Sequence, residues 1–226
     1  MSAHSPRQLA LALDHAESLA REDFLGGPSN AAALALIESY PDWPGRVAVL
    51  AGPEGSGKSH LAAIWAAEAG ARSLGARTLA ETHLPTALAT GALVVEDIAP
   101  GDFDERALFH LLNLAREEQA YLVLTARTAP ASWNVTIRDL ESRLKALPVV
   151  VLAPPDDVLL RAVLVKLFAD RQLLVDESLV GYVATRIERS FAAARAIVER
   201  LDEEAMRLQR PLTRALAAEI LRVREP

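Results

Sequence analysis

One segment of the sequence has the residue types and the spacing of a phosphate-binding loop. Residues 52–59 read GPEGSGKS and match the pattern G-x-x-x-x-G-K-[ST] of the P-loop. Its glycines let the backbone wrap closely around phosphates, and its amide N–H groups face the anion together with the N-terminus of the following helix. Lys58 would reach the outer phosphates, and the Ser59 hydroxyl would bind Mg²⁺. The motif predicts that ATP or ADP, with Mg²⁺, is bound by Gly52, Pro53, Glu54, Gly55, Ser56, Gly57, Lys58 and Ser59.

Two adjacent carboxylates form the second candidate. Glu96 and Asp97 follow the apolar run at 92–95 and resemble a Walker B element. A carboxylate at the carboxyl end of a strand can hold Mg²⁺ directly or through water, and a second one can orient an attacking water. We therefore assign Glu96 to the metal and Asp97 to catalysis. Glu96 stands where Asp is usual, and the alternative is an acidic strand-to-loop junction without chemistry.

The elements around these candidates alternate between strands and helices. Apolar runs bounded by breakers predict strands at 46–51, near 72–74, and at 92–95, 121–124 and 148–152. Helices are predicted between them at about 58–69 and 104–118, with a helical stretch that extends to about Thr90. Strands that alternate with helices indicate an α/β fold with a parallel sheet covered on both faces.

The sequence changes character at Ala153-Pro154-Pro155, after which it contains only helical patterns. Caps are predicted for three of these helices: Asp156 or Asp157, Asp176 and Ser190. A fourth helix would follow Pro211. The chain is predicted to consist of an N-terminal arm at 1–22, an α/β domain at 23–154 and a small all-α domain at 155–226.

Composition and charge exclude several classes of function. The 226 residues include no cysteine, which excludes zinc ribbons, iron–sulfur clusters and thiol catalysis. The formal net charge of −6 argues against a protein that binds DNA mainly through the phosphates, because such proteins are basic. No apolar run approaches about 18 residues, and the N-terminus lacks a secretory pattern, so we expect a cytoplasmic protein without a membrane partner. The five histidines are scattered, and we predict no metal site beyond nucleotide-bound Mg²⁺.

Four segments resemble those of the AAA+ ATPases of the DnaA group. They are Phe24-Leu25-Gly26-Gly27-Pro28-Ser29-Asn30, Gly57-Lys58-Ser59-His60-Leu61, Leu124-Thr125-Ala126-Arg127 and Asp139-Leu140-Glu141-Ser142-Arg143-Leu144. The resemblance runs from about Phe24 to the end. It implies an AAA+ P-loop NTPase with a five-stranded parallel sheet sandwiched by helices and a small helical lid. It also implies that Leu25, near the adenine, and His60 contact the nucleotide. A sensor II arginine is implied near Ser190, for which Arg195 and Arg189 are the candidates; the alternative is that this arginine is missing.

Two further arginines take roles from the same resemblance. Arg127 stands at the sensor I position, where a polar or acidic residue is usual, so the chain's own ATP hydrolysis is expected to be weak. Arg143 matches an arginine that in this family points into the ATP of a neighbouring subunit. A planar guanidinium can stabilise the charge that spreads over a transferred phosphate. Arg143 is therefore predicted to be catalytic in trans; the alternative is a surface arginine that pairs with Asp139 or Glu141.

The N-terminal arm contains a candidate docking peptide. Residues 8–13 read QLALAL and resemble the Q-L-x-L-x-L peptide that binds the sliding clamp of DNA polymerase III. Leu11 and Leu13 would enter an apolar pocket beside Leu9, while the Gln8 amide would fix the register. The alternative is an apolar strand or helical turn that packs on the core.

The sequence resembles the Hda family of DnaA-related regulators in two respects. It has the N-terminal arm, and it has no helix-turn-helix domain after the predicted lid. This resemblance implies a regulator that binds the clamp, stimulates ATP hydrolysis by the initiator DnaA and meets DNA mostly through the clamp. An autonomous AAA+ ATPase such as a helicase loader is one alternative, and an anchor without chemistry is another. The working nucleotide (ADP or ATP) and a homo-oligomeric state stay open.

Overall fold

Five strands form one sheet that presents the candidate residues at the carboxyl ends of its strands. The structure, a computed structural model, describes residues 19–43 and 45–222. The strands are β1 (Val47–Ala51), β2 (Arg72–Gly75), β3 (Ala92–Ile98), β4 (Tyr121–Ala126) and β5 (Val149–Val151). They lie in the order β2-β3-β4-β1-β5, and every pair is parallel. The predicted five-stranded parallel sheet is confirmed.

Helices cover both faces of this sheet and then continue beyond it. They are α1 (Ala31–Glu38), α2 (Lys58–Ala69), α3 (Leu84–Ala87), α4 (Glu105–Glu117), α5 (Arg138–Ala146), α6 (Asp157–Asp170), α7 (Glu177–Ala184), α8 (Phe191–Leu208) and α9 (Arg214–Arg222). Helices α1 and α2 pack on one face of the sheet, and α3, α4 and α5 pack on the other. Within the described residues, no helix is both long and apolar enough to cross a membrane.

Alternate strand residues supply the two cores of the sheet. Leu93 and Val95 of β3 belong to the core beneath α4 and α5, whereas Val94 belongs to the core beneath α1 and α2. All three side chains are fully buried. A strand that is buried on both faces has no place for exposed polar residues, which is why its sequence is a continuous apolar run.

The helical bundle (α6–α9) encloses a third apolar core of its own, in which Leu164, Phe168 and Leu201 are fully buried. Each of the three predicted caps accepts a hydrogen bond from a backbone N–H in the first turn of its helix. These caps are Asp156 for α6, Asp176 for α7 and Ser190 for α8. A cap satisfies one of the donors that a helix start leaves without a partner.

Two sequence predictions about element ends differ from the structure. The helical stretch expected up to Thr90 consists of two 3₁₀ turns and the four-residue helix α3. Pro85 lies in the first turn of α3, the place in a helix that tolerates proline, so the helix cannot extend far towards the N-terminus. Strand β3 continues past Glu96 and Asp97 to Ile98, with a shift of register between Val95 and Ile98.

Candidate nucleotide site

The P-loop connects β1 to the start of α2. Gly55 and Gly57 have φ angles of +69° and +95°. These left-handed conformations favour glycine because other L-residues strain their Cβ there. They turn the chain sharply, so that α2 begins at Lys58 directly after Gly57. The helix therefore presents its first N–H groups at the loop, in the arrangement that binds phosphates.

The Lys58 side chain is 6% exposed and folds back over the loop. Its Nζ donates hydrogen bonds to the carbonyl oxygens of Gly52 and Pro53, at 2.9 and 2.7 Å. Burial lowers the pKa of Lys58, and the Arg127 cation acts in the same direction, whereas Asp97 and Glu54 oppose the shift. A phosphate beside this ammonium would favour its charged form.

A cavity of about 710 Å³ opens beside the loop. Two predicted motifs line this cavity together: the P-loop with Lys58 and Ser59, and the acidic pair Glu96 and Asp97. Hydroxyl and carboxylate oxygens are the ligands that Mg²⁺ prefers, and the donor set fits that ion held together with nucleotide phosphates. Among the described residues, no group of three or more His, Cys, Asp or Glu side chains could hold a metal by itself.

Asp97 reaches this cavity through an unusual backbone conformation. Its φ angle is +57°, and it lies within the register shift of β3. Asp tolerates this region better than most residues, at a cost of about 1–3 kcal/mol. The Asp97 N–H donates to the Oγ1 of Thr125 at 3.0 Å, and Thr125 is fully buried in β4. The neighbouring strand thus holds the carboxylate-bearing residue in place.

An ion pair that the sequence did not predict borders the same cavity. Arg127 Nη2 lies 2.7 Å from Glu54 Oε2, and 73 residues separate the two in sequence. Both side chains are largely exposed, so the pair itself contributes at most about 1 kcal/mol. Arg127 therefore lies against the P-loop, on the side where the outer phosphates of a nucleotide would lie.

A second cavity, of about 380 Å³, lies between the segment at 23–25 and the start of α2 on one side and helices α6 and α8 of the bundle on the other. Leu25, Gly57, His60 and Arg195, which are predicted to contact the nucleotide, all line it. Their contact with a nucleotide stays a prediction. Its other lining residues include Phe24 and Phe191, whose rings offer apolar surface of the kind that a base needs. The ring of His60 packs edge-on against Phe24 with centroids 5.2 Å apart.

Lys166 of α6 joins the bundle to the segment that precedes α1. Its Nζ lies 2.6 Å from Asp23 Oδ1 and 2.7 Å from Asp170 Oδ2. Partial burial disfavours the charged amine, yet its pKa is raised because both carboxylates accept hydrogen bonds from it. All three residues line the second cavity. The Lys166–Asp23 pair could not be predicted from the sequence, because the two residues are far apart along the chain.

The N-terminus of α8 contacts the P-loop directly. The Phe191 N–H donates to the Gly55 carbonyl oxygen at 2.8 Å, and Ser190 caps the helix. The first-turn residue beside Gly55 is Ala192, so no arginine stands at this contact. Arg189 forms an ion pair with Asp157. Arg195 lines the second cavity, and its assignment to nucleotide binding stays a prediction.

Arg143 lies on α5, away from both cavities. Its guanidinium stacks over the ring of Phe109 in α4, with Cζ 5.0 Å from the ring centroid. Glu141, one of the partners that the alternative reading offered, pairs with Lys145 instead. Within the described residues, no ion pair joins Arg143 to Asp139.

The P-loop also contains a buried hydroxyl and two carbonyl groups that face inwards towards its own side chains. Ser56 Oγ is buried and has no hydrogen-bond partner among the described residues, so a bound phosphate or water would satisfy it. Gly52, with Pro53, supplies the carbonyls that Lys58 contacts. The residues predicted to bind the clamp lie outside the described residues: Gln8, Leu9, Leu11 and Leu13.

Comparison with solved structures identifies the fold. Domain III of the replication initiation protein DnaA from Thermotoga maritima superposes with a TM-score of 0.76 and 19% identity, over 90% of this chain and 95% of that chain. The Thermotoga maritima RuvB Holliday junction branch migration motor gives 0.71 and 17%, over 91% and 72%. A replication initiator DnaA bound to AMPPCP and single-stranded DNA gives 0.64 and 18%, over 83% and 67%.

No family model matches the chain, and no curated protein sequence matches it either. At these low identities the structural likeness shows the fold, which is a DnaA-like AAA+ P-loop NTPase fold. The predicted fold class is confirmed by it.

Proposed function

We propose that this chain is an Hda-like regulator of chromosome replication. It binds ADP or ATP with Mg²⁺, attaches to the sliding clamp through residues 8–13, and stimulates ATP hydrolysis by the initiator DnaA. Hydrolysis in DnaA would prevent re-initiation. The protein acts in the cytoplasm at the replisome, and its acidic charge suits a partner that reaches DNA through the clamp.

The position of Arg143 carries this proposal. Lys58 and Arg127 line the cavity beside the P-loop, whereas Arg143 lines neither cavity of its own chain. A planar cation on a helix surface, free of an acidic partner among the described residues, is available for the phosphates of another subunit. In GTPases an arginine supplied in trans raises the rate by about 10³–10⁵.

In this proposal the main role of the nucleotide is to hold the helical bundle against the α/β domain. It would contact the P-loop, which already touches the start of α8 at Gly55. It would also fill the cavity where Lys166 joins the bundle to Asp23. The bundle then acts as a lid on the α/β domain at 23–154. A nucleotide at 100 times its dissociation constant stabilises such a fold by about 2.7 kcal/mol. The DnaA structure bound to AMPPCP supports a triphosphate as one ligand of this site.

The test is hydrolysis of radiolabelled ATP prebound to DnaA, measured with clamp-loaded DNA and this protein. Wild type is expected to accelerate the loss of ATP, and Arg143→Ala is expected to leave the rate at that of DnaA alone. Arg138→Ala is the matched control because it removes an exposed arginine from the same helix. If wild type leaves the rate of DnaA unchanged, or if Arg143→Ala stimulates as well as wild type, the proposal is wrong.

Clamp attachment is tested separately with the same chain. Gln8→Ala is expected to abolish pull-down by clamp-loaded DNA and to remove the stimulation, while Arg143→Ala still binds the clamp. Retention of clamp binding by Gln8→Ala would refute the assignment of the arm.

An autonomous AAA+ ATPase is the second candidate, and one observation favours it. Glu96 and Asp97 line the same cavity as Lys58 and Ser59, so the carboxylates proposed for Mg²⁺ and for the attacking water lie beside the P-loop of the same chain. Steady ATP turnover by the isolated protein, lost in Lys58→Ala, together with no effect on DnaA, would establish this function in place of the first.

A further inference from the structure

Helix α4 contacts the segment that leads into α5, the helix of Arg143. The Glu105 carboxylate accepts hydrogen bonds from the Thr136 N–H at 2.8 Å, the Thr136 hydroxyl at 2.7 Å and the Ile137 N–H at 3.1 Å. Ile137 is the N-cap residue of α5 and provides no side-chain cap. Glu105 thus holds the N-cap residue of α5 and the residue before it from another helix, and charged acceptors form the stronger hydrogen bonds.

The second contact reaches Arg143 itself. Phe109 lies one turn after Glu105 on α4, and residues at this spacing share one face of a helix. Its ring lies beneath the guanidinium of Arg143, 5.0 Å from Cζ. Both side chains are half-buried, so the contact is partly shielded from water.

The core of α5 explains why two outside contacts are needed. Leu140 and Leu144 are buried beneath the helix and hold it against the sheet. These apolar contacts fix the depth of the helix but not the direction of the long Arg143 side chain. An arginine side chain carries about 2 kcal/mol of rotamer entropy, which a stacking partner restricts before the ligand arrives.

We propose that Glu105 and Phe109 are positioning residues for Arg143: Glu105 fixes the start of α5, and Phe109 orients the guanidinium towards the triphosphate of a neighbouring AAA+ subunit. This inference rests on the proposed function. A displacement of about 1 Å in a catalytic group costs on the order of 10²-fold in rate, so such contacts act on the rate of the chemical step.

The test uses the DnaA hydrolysis assay with the full chain and clamp-loaded DNA, titrated to give both the maximal stimulated rate and the half-stimulating concentration. Phe109→Leu is expected to lower the maximal rate about three- to tenfold without changing the half-stimulating concentration. Phe109→Tyr keeps a ring and is expected to restore the rate. Glu105→Ala is expected to lower it as well, and thermal unfolding confirms that each variant is folded.

Two controls separate positioning from a general structural effect. Tyr182→Leu removes a comparable stack, with Arg186 Cζ 3.7 Å from the ring, in the helical bundle and is expected to leave the rate unchanged. The Arg143→Lys background, which keeps a cation but not the planar guanidinium, is expected to show a smaller effect of Phe109→Leu than wild type does, because the two residues are in contact.

The outcomes distinguish this inference from the proposed function. If wild type does not stimulate DnaA, the proposed function fails. If wild type stimulates and Arg143→Ala does not, but folded Phe109→Leu and Glu105→Ala stimulate fully, the proposed function stands and the positioning inference is overturned. A rise in the half-stimulating concentration at an unchanged maximal rate would also overturn it, because that pattern indicates lost binding surface.

Discussion

Substitution of Gly55 by alanine should destabilise the protein in two ways: by backbone strain in the P-loop and by displacement of the start of α8, which packs against the loop. A Cβ at Gly55 would lie 2.8 Å from Ser190 Cβ and 3.1 Å from Ala192 Cβ. Carbon atoms pack best at about 3.5–4.0 Å, so the start of α8 would have to move by roughly 0.7 Å or more. The φ angle of +69° adds about 1–2 kcal/mol of backbone strain for alanine.

Gly91 provides the matched control for this substitution. Its φ angle is +74°, and no atom lies within 4 Å of the position of its Cβ. Gly91→Ala is therefore expected to lose the same 1–2 kcal/mol or so of unfolding free energy and to bind nucleotide like wild type. Gly55→Ala is expected to lose more, because the hydrogen bond from Phe191 to the Gly55 carbonyl contributes a further ~0.5–1.5 kcal/mol.

The assay combines denaturant unfolding with titration of a fluorescent ATP analogue. Displacement of α8 from the loop is expected to weaken nucleotide binding by Gly55→Ala up to about tenfold, the equivalent of ~1.4 kcal/mol. The argument that contact with the P-loop holds the start of α8 in place would be refuted by one result. In that result both variants lose the same unfolding free energy, and Gly55→Ala binds nucleotide as tightly as wild type.

Three further predictions concern single side chains of the site and of α4. Lys58→Ala should abolish the nucleotide-dependent rise in unfolding free energy, about 2.7 kcal/mol for wild type at 100 times the dissociation constant, in a thermal-shift or denaturant experiment. Thr125→Val should cost about 1 kcal/mol of stability because the Asp97 N–H loses its acceptor, and Thr125→Ser should restore it; equal stability of all three proteins would contradict this role. Partial burial opposes ionisation of Glu105, yet its pKa lies below the ordinary value of 4.5 because Thr136 and Ile137 donate to it. Its contribution to stability is therefore present above about pH 4.5 and lost as the pH falls through the lowered pKa, so wild type should lose more stability on acidification than Glu105→Gln.

The sheet and the helix starts could be predicted because their signals are local. Each buried strand is a continuous apolar run, and each capping side chain lies directly before its helix, as at Ser190. The cap also fixes the register of α8. Its first turn is Phe191-Ala192-Ala193, which places alanines rather than an arginine beside the loop.

The contacts that shape the site could not be predicted, because they join residues far apart along the chain. Arg127 and Glu54 are 73 residues apart, and Lys166 reaches back to Asp23. No periodicity or motif records such pairs. The left-handed conformation of Asp97 was equally hidden, because it depends on the register shift in β3 and on Thr125 in the neighbouring strand.

The two hydrogen bonds of Lys58 have a consequence for nucleotide affinity. Its ammonium donates to the Gly52 and Pro53 carbonyls, so the loop itself competes with an incoming phosphate for the same donor. A nucleotide must exchange these bonds rather than add to them, which lowers the net gain on binding. The same carbonyls can take the ammonium back as the nucleotide leaves. This internal competition makes the contribution of Lys58 to affinity smaller than that of an ammonium that had no partners before the phosphate arrived.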